Sequence, residues 1–372
     1  KISKNKNGKG KWVQMNQDVQ KIIEAGTYAP SGDNCQPWRF EVDGNIIKLF
    51  NVLKPELDHP FFNFEQRGTY FTHGAVLENM KIAGSSLGYE MTWQLFPESS
   101  NPDLMAIITL AKVEPKVEPL AEVIPLRHTN RKSYEKTPLS EDIIASLRNV
   151  SANINGVEVH FLTNPSQIKI IGNALSAGEI VALETPEIHR AFFSHLVWNQ
   201  VEELQKHSGL YIKTLELPPP VRGLFRVLKY WPIANAFNKI GFSKLASKGN
   251  AQTYGSAGAM VAITTTNNSK ESYIAAGRMA ERIWLEATRH KLGVQPVTAV
   301  LYLMMRIKAN QPGKLKKNHI ELVKKSYQEI EKNFTITNSN IVMLLRIGYA
   351  KPASARSSRL PAVIKNTNVT VS

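Results

Sequence analysis

From Pro30 to Pro37 the chain reads Pro-Ser-Gly-Asp-Asn-Cys-Gln-Pro, a run in which most side chains exchange hydrogen bonds and the others shape the backbone. Ser31 and Gly32 let the backbone come close to a ligand, Asn34 and Gln36 each carry donors and an acceptor, and Pro37 fixes the exit from the loop. This chemistry suits a planar heterocycle whose rim alternates donors and acceptors. The plainer alternative is a polar turn that feeds a strand. His73 and His128 are candidates for acid–base work, although a lone histidine is more often a structural hydrogen-bonding group. The nine histidines form no His-x-x-x-His pair, and the single cysteine, Cys35, permits neither Cys-x-x-Cys nor an internal disulfide. No metal site is therefore expected, and the cysteine usage fits a reducing, cytoplasmic compartment.

Such residues need elements to position them. Val19, Ile22, Ile23 and Tyr28 recur at helical spacing, and Pro30 stops that helix by Ala29. Phe40 and Val42, the turn Asp43-Gly44-Asn45, then Ile47 and Leu49 predict a β-hairpin directly after the polar loop. A buried helix is expected over 71–88 and a strand over Leu104 to Leu110. After a Pro- and Val-rich connector at 113–125, Ser140 caps a helix, and Val157, Val159 and Phe161 alternate as a strand. Met260 to Thr264 and Ile341 to Ile347 read as strands, with a long helix from Tyr273 to Leu292 between them. In both parts of the chain a helix ending in Leu-Gly (Leu87-Gly88, Leu292-Gly293) precedes an apolar strand, a weak signature of duplication. Residues 176–250 have no counterpart in the first part. They hold Pro218 to Pro220 and a string of aromatics from Phe192 to Phe242, which either extends the core or forms a lid that excludes water.

Charge narrows the class. The formal net charge is +15, but the first eleven residues hold +5 and residues 301–372 hold +10, so residues 12–300 are neutral overall. A duplex-binding face is disfavoured, because no helix-turn-helix, RNP-type strand or zinc-finger spacing accompanies the charge. No stretch reaches the ~18 to 20 uncharged apolar residues that a membrane-spanning helix needs, so a soluble protein without a membrane partner is expected. The chain starts at Lys1 without Met, which reads as a processing boundary or the edge of a module in a longer polypeptide.

Ala29-Pro30-Ser31-Gly32-Asp33-Asn34-Cys35-Gln36-Pro37-Trp38-Arg39-Phe40 closely resembles the flavin-contacting signature of the nitroreductase superfamily, P-S-x-x-N-x-Q-P-W-x-F. Arg127-His128-Thr129-Asn130-Arg131 is similar to the R-x-S/T-x-R segment with which that family grips the FMN phosphate. Gly293-Val294-Gln295-Pro296-Val297-Thr298-Ala299 resembles the segment whose backbone runs along the isoalloxazine ring near N5. Ser357-Ser358-Arg359-Leu360-Pro361 resembles the family's C-terminal basic residues at the phosphate, with Arg356 beside them.

The resemblance implies an α+β, nitroreductase-like three-layer α/β/α fold. The loop occurs only in the first half and the arginine segment only in the second. Trp12 to Met15 and Ser151 to Gly156 stand where the reciprocal motifs would be. That departure is similar to the Acg-type subgroup, in which one chain mimics the family's dimer and carries a lid. It implies a basic leader at 1–14, a first half at 15–125, a second half at 126–361 with a lid at 176–250, and a tail at 362–372.

The implied cofactor is one FMN. Pro30, Ser31, Gly32, Asn34 and Gln36 would meet the ring, with Gln295, Pro296, Val297 and Thr298 along its N5 side. Arg127, His128, Thr129, Arg131, Arg356 and Arg359 would meet the phosphate. The implied activity is reduction of a small-molecule acceptor by NAD(P)H, with the flavin carrying the chemistry and no side-chain nucleophile. A flavin-sequestering protein with little turnover is the alternative, since a lid can cover the face that nicotinamide must reach. One chain should suffice to hold flavin.

Overall fold

The computed structural model describes residues 16–366 apart from 55, 59, 60, 152 and 153. The expected leader, Trp12 to Met15, Ala152, Asn153 and the tail beyond 366 lie outside the described residues. In chain order the elements are α1 (Gln17–Thr27), β1 (Trp38–Asp43), β2 (Ile46–Asn51), α2 (Arg67–Ser86), β3 (Tyr89–Leu95), β4 (Leu104–Lys112), α3 (Glu141–Val150), β5 (Val157–Leu162) and α4 (Pro165–Glu184). There follow α5 (Pro186–Ser194), β6 (Leu196–Val197), α6 (Gln200–Lys206), β7 (Leu210–Tyr211), α7 (Pro219–Leu228), α8 (Trp231–Lys239) and α9 (Phe242–Tyr254). The chain ends with β8 (Ala259–Thr265), α10 (Lys270–Arg289), β9 (Gly293–Pro296), α11 (Ala299–Lys308), α12 (Lys317–Phe334), β10 (Asn340–Gly348) and β11 (Ile364–Asn366). The protein is α+β.

The first helix forms because Asn16 accepts a hydrogen bond from the Asp18 amide and because Val19, Ile22 and Ile23 fall on one buried face. Gly44, at φ +60°, makes the β1–β2 turn that an ordinary residue would strain. The first sheet runs β11-β1-β2-β4-β3, and the second runs β5-β8-β10-β9. Apart from β11, both place their strands in the same order: first, second, fourth, third along the chain. In each, a long helix (α2 or α10) joins the second strand to the third.

Those two helices cross at close range. A Cβ added to Gly277 would lie 1.8 Å from the Phe71 carbonyl oxygen, and one added to Gly74 would lie 2.0 Å from the Ile274 carbonyl oxygen. The contact is reciprocal, because each glycine meets the residue three before the other. One hydrophobic core then runs from Phe40 and Leu49 of the first sheet, through Val76, Met80, Met279 and Ile283 of the helix pair, to Val261 and Val342 of the second sheet. A second cluster covers the other face of the second sheet with α4, α11 and α12, through Ile171, Leu303 and Ile330. The second sheet is thus the middle of an α/β/α sandwich, which is why β8 is buried along its whole length.

Two further features bear on the site. The chain leaves β10 in the second sheet, passes Arg356 and Arg359, and adds β11 parallel to β1 at the edge of the first sheet. Part of the segment expected to be a tail therefore forms a strand. The insertion between β5 and β8 holds α4 to α9 and the paired two-residue strands β6 and β7, and the expected lid segment 176–250 falls within it. Its aromatics pack mainly on one another, with Phe192, Trp198, Phe225, Phe237 and Phe242 around a small core of Phe193, Leu196, Leu210, Leu228 and Ala234. No described helix is long and apolar enough to cross a membrane.

Candidate functional site

Two adjoining cavities open beside the polar loop, and Pro30, Ser31 and Asp33 line both. The larger, of about 310 Å³, is walled by Gly32, Pro296, Val297 and Thr298, by Phe71, Thr72 and Trp284 of the crossed helices, and by Glu179 and Tyr254 of the insertion. The smaller, of about 140 Å³, is walled by Tyr28, Asn34, Arg127, His128, Thr129, Arg131, Thr214, Arg356 and Arg359. Segments far apart in sequence thus meet in one cleft: α1 and its loop, the 127–131 segment, the strand after α10, and the C-terminal crossing. Gly32 faces open space, since a Cβ there would meet nothing within 4 Å.

Gln36 and Gln295 line neither cavity. Gln36 Nε2 donates to the His207 carbonyl at 2.7 Å, and its Oε1 accepts from the Leu360 amide at 2.9 Å. Gln295 Oε1 accepts from Arg346 Nε at 2.7 Å. Their polar groups fasten the walls. Asn34 does both jobs: it lines the smaller cavity, donates to the Ser358 carbonyl at 3.0 Å, and accepts from Arg359.

The loop itself is strained. Asp33, Asn34 and Gln36 adopt φ of +45°, +56° and +50°, each costing of order 1 kcal/mol or more for a residue with a side chain. Clamps hold it there. Ser31 Oγ accepts from the Gln36 amide at 3.0 Å, Lys54 Nζ donates to the Cys35 carbonyl at 2.8 Å, and the Asp33 carboxylate meets His195 Nδ1 at 2.7 Å. His195 and His207 belong to the insertion, so the insertion helps to define the loop conformation. Burial pushes the Cys35 thiol up to about 12, aided by the Asp33 charge, so it stays protonated.

In the smaller cavity cations outnumber anions. Arg127 is buried, donates from Nη2 to the Tyr28 carbonyl at 2.8 Å, stacks at 4.6 Å over the Trp284 ring, and places Nε 3.3 Å from Glu281. Arg359 donates to Asn34, and burial together with the Arg127 charge pulls its guanidinium down to about 9. Burial pushes Glu281 up to about 7 in spite of Arg127. A cluster whose cations depress one another is stabilised by an incoming anion. Arg131 donates to the Thr214 carbonyl at 3.1 Å, and Arg356 lines the cavity as well. His128 is held below its ordinary pKa by burial and by Arg356 and Arg127. Its Nδ1 lies 2.8 Å from the Leu126 carbonyl, so the neutral ring donates there and leaves Nε2 as an acceptor. His73 lies in neither cavity. It is fully buried, with Nε2 3.3 Å from Asn51 Oδ1, and burial pulls its pKa down to about 3.

Sequence reasoning did not single out Glu179, Tyr254, Trp284 or Asp33 as site residues. Trp284 sits in the apolar pattern of a core helix, and Glu179 and Tyr254 lie in the insertion, where no motif points to them. Asp33 was inside the motif and could have been found there.

No protein-family model matches the chain. It is 21% identical over 346 residues to an uncharacterized protein of Mycobacterium tuberculosis, MT1398, a match covering 91% of this chain and 46% of that protein. The chain thus spans about half the length of that relative. It is also 21% identical over 291 residues to a Mycobacterium tuberculosis protein provisionally named NAD(P)H nitroreductase acg, covering 77% of this chain and 81% of that one. Among solved structures, the FMN-dependent nitroreductase NfnB from Mycobacterium smegmatis in complex with NADPH aligns with a TM-score of 0.36 at 12% identity, over 63% of this chain and 88% of that one. The named likeness is to NAD(P)H nitroreductases.

Proposed function

We propose that this chain is an FMN-dependent oxidoreductase of the nitroreductase type, which uses NAD(P)H to reduce a small-molecule acceptor at a single FMN held across the two cavities. The observation that carries the reading is the joined pair: a mostly apolar chamber large enough for a flat ring, opening onto a small chamber with four arginines. The residues fit the cofactor. Gly32 opens on the ring chamber, Pro296 to Thr298 would flank the ring, and Arg127, Arg131, Arg356 and Arg359 would bind the phosphate by charge-assisted hydrogen bonds. FMN bound there supplies the two-electron chemistry. The protein's part is to orient it, to balance its charge with arginine, and to exclude water with the insertion, which acts as a lid.

The same reading takes 15–125 and 126–361 as two related halves that mimic a dimer in the Acg manner. The shared strand order and the reciprocal Gly74 and Gly277 contacts support it. On this reading a monomer would suffice to hold the flavin.

A second reading has a specific observation in its favour. The insertion is fastened to the loop by the Asp33–His195 pair and the Gln36–His207 hydrogen bond, and to the C-terminal crossing by the Ser358–Glu203 hydrogen bond, and a lid that stays shut would sequester flavin without turnover. Titration with FMN followed by anaerobic NADH and NADPH tests both. Uptake with loss of the oxidised flavin absorbance supports the reductase, uptake without it supports sequestration, and no uptake refutes the site.

A further inference from the structure

Three carboxyls line the larger cavity, and they are held differently. Asp33 is paired with His195 and faces the Arg131 charge, while Asp58 accepts from Asn63 Nδ2 at 2.6 Å. Glu179 forms no ion pair among the described residues and accepts from the Tyr254 hydroxyl at 2.8 Å. Its place on the wall is set by tight packing. A Cβ on Gly178 would lie 2.6 Å from Ala299 Cβ and 3.4 Å from the Val300 amide nitrogen, so α4 presses on the segment that follows Pro296 to Thr298. The carboxyl next to Gly178 is thereby brought to the segment assigned above to the reactive side of the ring.

We propose that Glu179 is the proton donor to the electron acceptor, a catalytic acid carried by the insertion; this rests on the reductase reading. An acceptor that takes a hydride, two electrons and one proton originating from NAD(P)H, gains negative charge on a heteroatom. The Glu179 O–H bond then breaks, its proton bonds to that heteroatom, and the electron pair stays on the carboxylate. The Tyr254 hydroxyl holds the carboxylate until solvent returns a proton.

The electrostatics agree with the geometry. Burial raises the Glu179 pKa against the pull of hydrogen bonds from Tyr254 and Asn250, which favours the acid form. The other titratable groups on this wall, Cys35, Tyr254 and Tyr302, are pushed up by burial and stay neutral. Asp33, engaged by His195 and Arg131, and Asp58, bonded to Asn63, are not comparable donors.

The test compares the parent with Glu179→Gln and Tyr254→Phe. Infrared difference spectra between the cofactor-free parent and Glu179→Gln, taken through a pH titration, should show a protonated-carboxyl band of Glu179 that persists to higher pH than an ordinary glutamate's. In the flavin-loaded proteins, reoxidation by 1,4-benzoquinone should slow about a hundredfold or more in Glu179→Gln, out of proportion to any change in reduction by NADPH. Tyr254→Phe should shift the pH at which reoxidation falls off. A Glu179 carboxyl that ionises in the ordinary glutamate range, or reoxidation unchanged in Glu179→Gln, would overturn the proposal and leave the flavin site intact. Failure of the parent to bind FMN would overturn both, while the infrared band would still report the state of Glu179.

Discussion

Replacing Gly277 by alanine places a methyl group 1.8 Å from the Phe71 carbonyl oxygen and 2.7 Å from its carbon, where ordinary contact begins near 3.4 Å. The obstruction is backbone, so no rotamer change relieves it, and α2 and α10 must move apart by about 1.5 Å. Separation opens a core that runs from one sheet to the other, which argues for a cost at or above the upper end of the ~1 to 3 kcal/mol range for overpacking. That is a large share of the ~5 to 15 kcal/mol that stabilises a typical protein. Gly74→Ala meets the mirror obstruction and should cost a similar amount. The double variant should cost less than the sum, because both changes open the same crossing. Gly249, in α9 with nothing within 4 Å of its Cβ, is the control, and there alanine should stabilise slightly. The assay is denaturant unfolding of the four variants, followed by FMN affinity, since both helices line the larger cavity. If Gly277→Ala unfolds within about 0.5 kcal/mol of Gly249→Ala, the crossing is not as tight as described and the reasoning fails.

Arg359→Ala should weaken FMN binding by about 10- to 100-fold through loss of charge-assisted hydrogen bonds while leaving riboflavin affinity nearly unchanged, and fluorescence titration with both ligands decides it. Arg127→Ala should also destabilise the fold by about 1 to 3 kcal/mol at pH 7, through loss of the Tyr28 hydrogen bond and the Glu281 pair, and by more as pH rises and the unpaired Glu281 must ionise; pH-dependent thermal unfolding should show that added loss rescued by Glu281→Gln, and no rescue would count against the pairing. His73 has a folded pKa of about 3, well below its ordinary value. The unfolded chain therefore binds the extra proton between these values, and stability present above pH ~6.5 is lost as pH falls toward 3; His73→Gln should flatten that limb in pH-dependent unfolding. Cys35, held protonated, should resist iodoacetamide at pH 8 in the native state and react once unfolded, so prompt native alkylation would contradict the raised thiol pKa.

Much of this architecture could be read from the sequence because local signals agree with the fold. Pro30 ends α1 within a few residues of where the spacing put the stop, Gly44 makes the hairpin turn, and the strands at 104, 260 and 341 are apolar runs with clear ends. The missed elements have physical reasons. β3 (Tyr89–Leu95) alternates its larger residues with Glu90, Thr92 and Gln94, so it lacks the apolar run that marks the other strands, and α4 begins at Pro165 and is apolar on most sides, which hides its period. β11 is three residues long, and only its pairing with β1 shows that it is a strand. At the site, motifs marked the segments and not the direction of each side chain. Gln36 and Gln295 turn into the protein because the strained loop and the buried Arg346 need their hydrogen bonds. Glu179 was invisible because its place on the cavity wall comes from the Gly178 contact with Ala299, a pairing across 121 positions that leaves no local trace.

The most direct test of the central claim is native mass spectrometry of the protein after addition of excess FMN, alongside riboflavin. The account predicts a monomer carrying one FMN, with riboflavin held far less well because it lacks the phosphate that the arginines bind. Flavin found only in a dimer, two FMN per chain, or equal retention of riboflavin and FMN would contradict it.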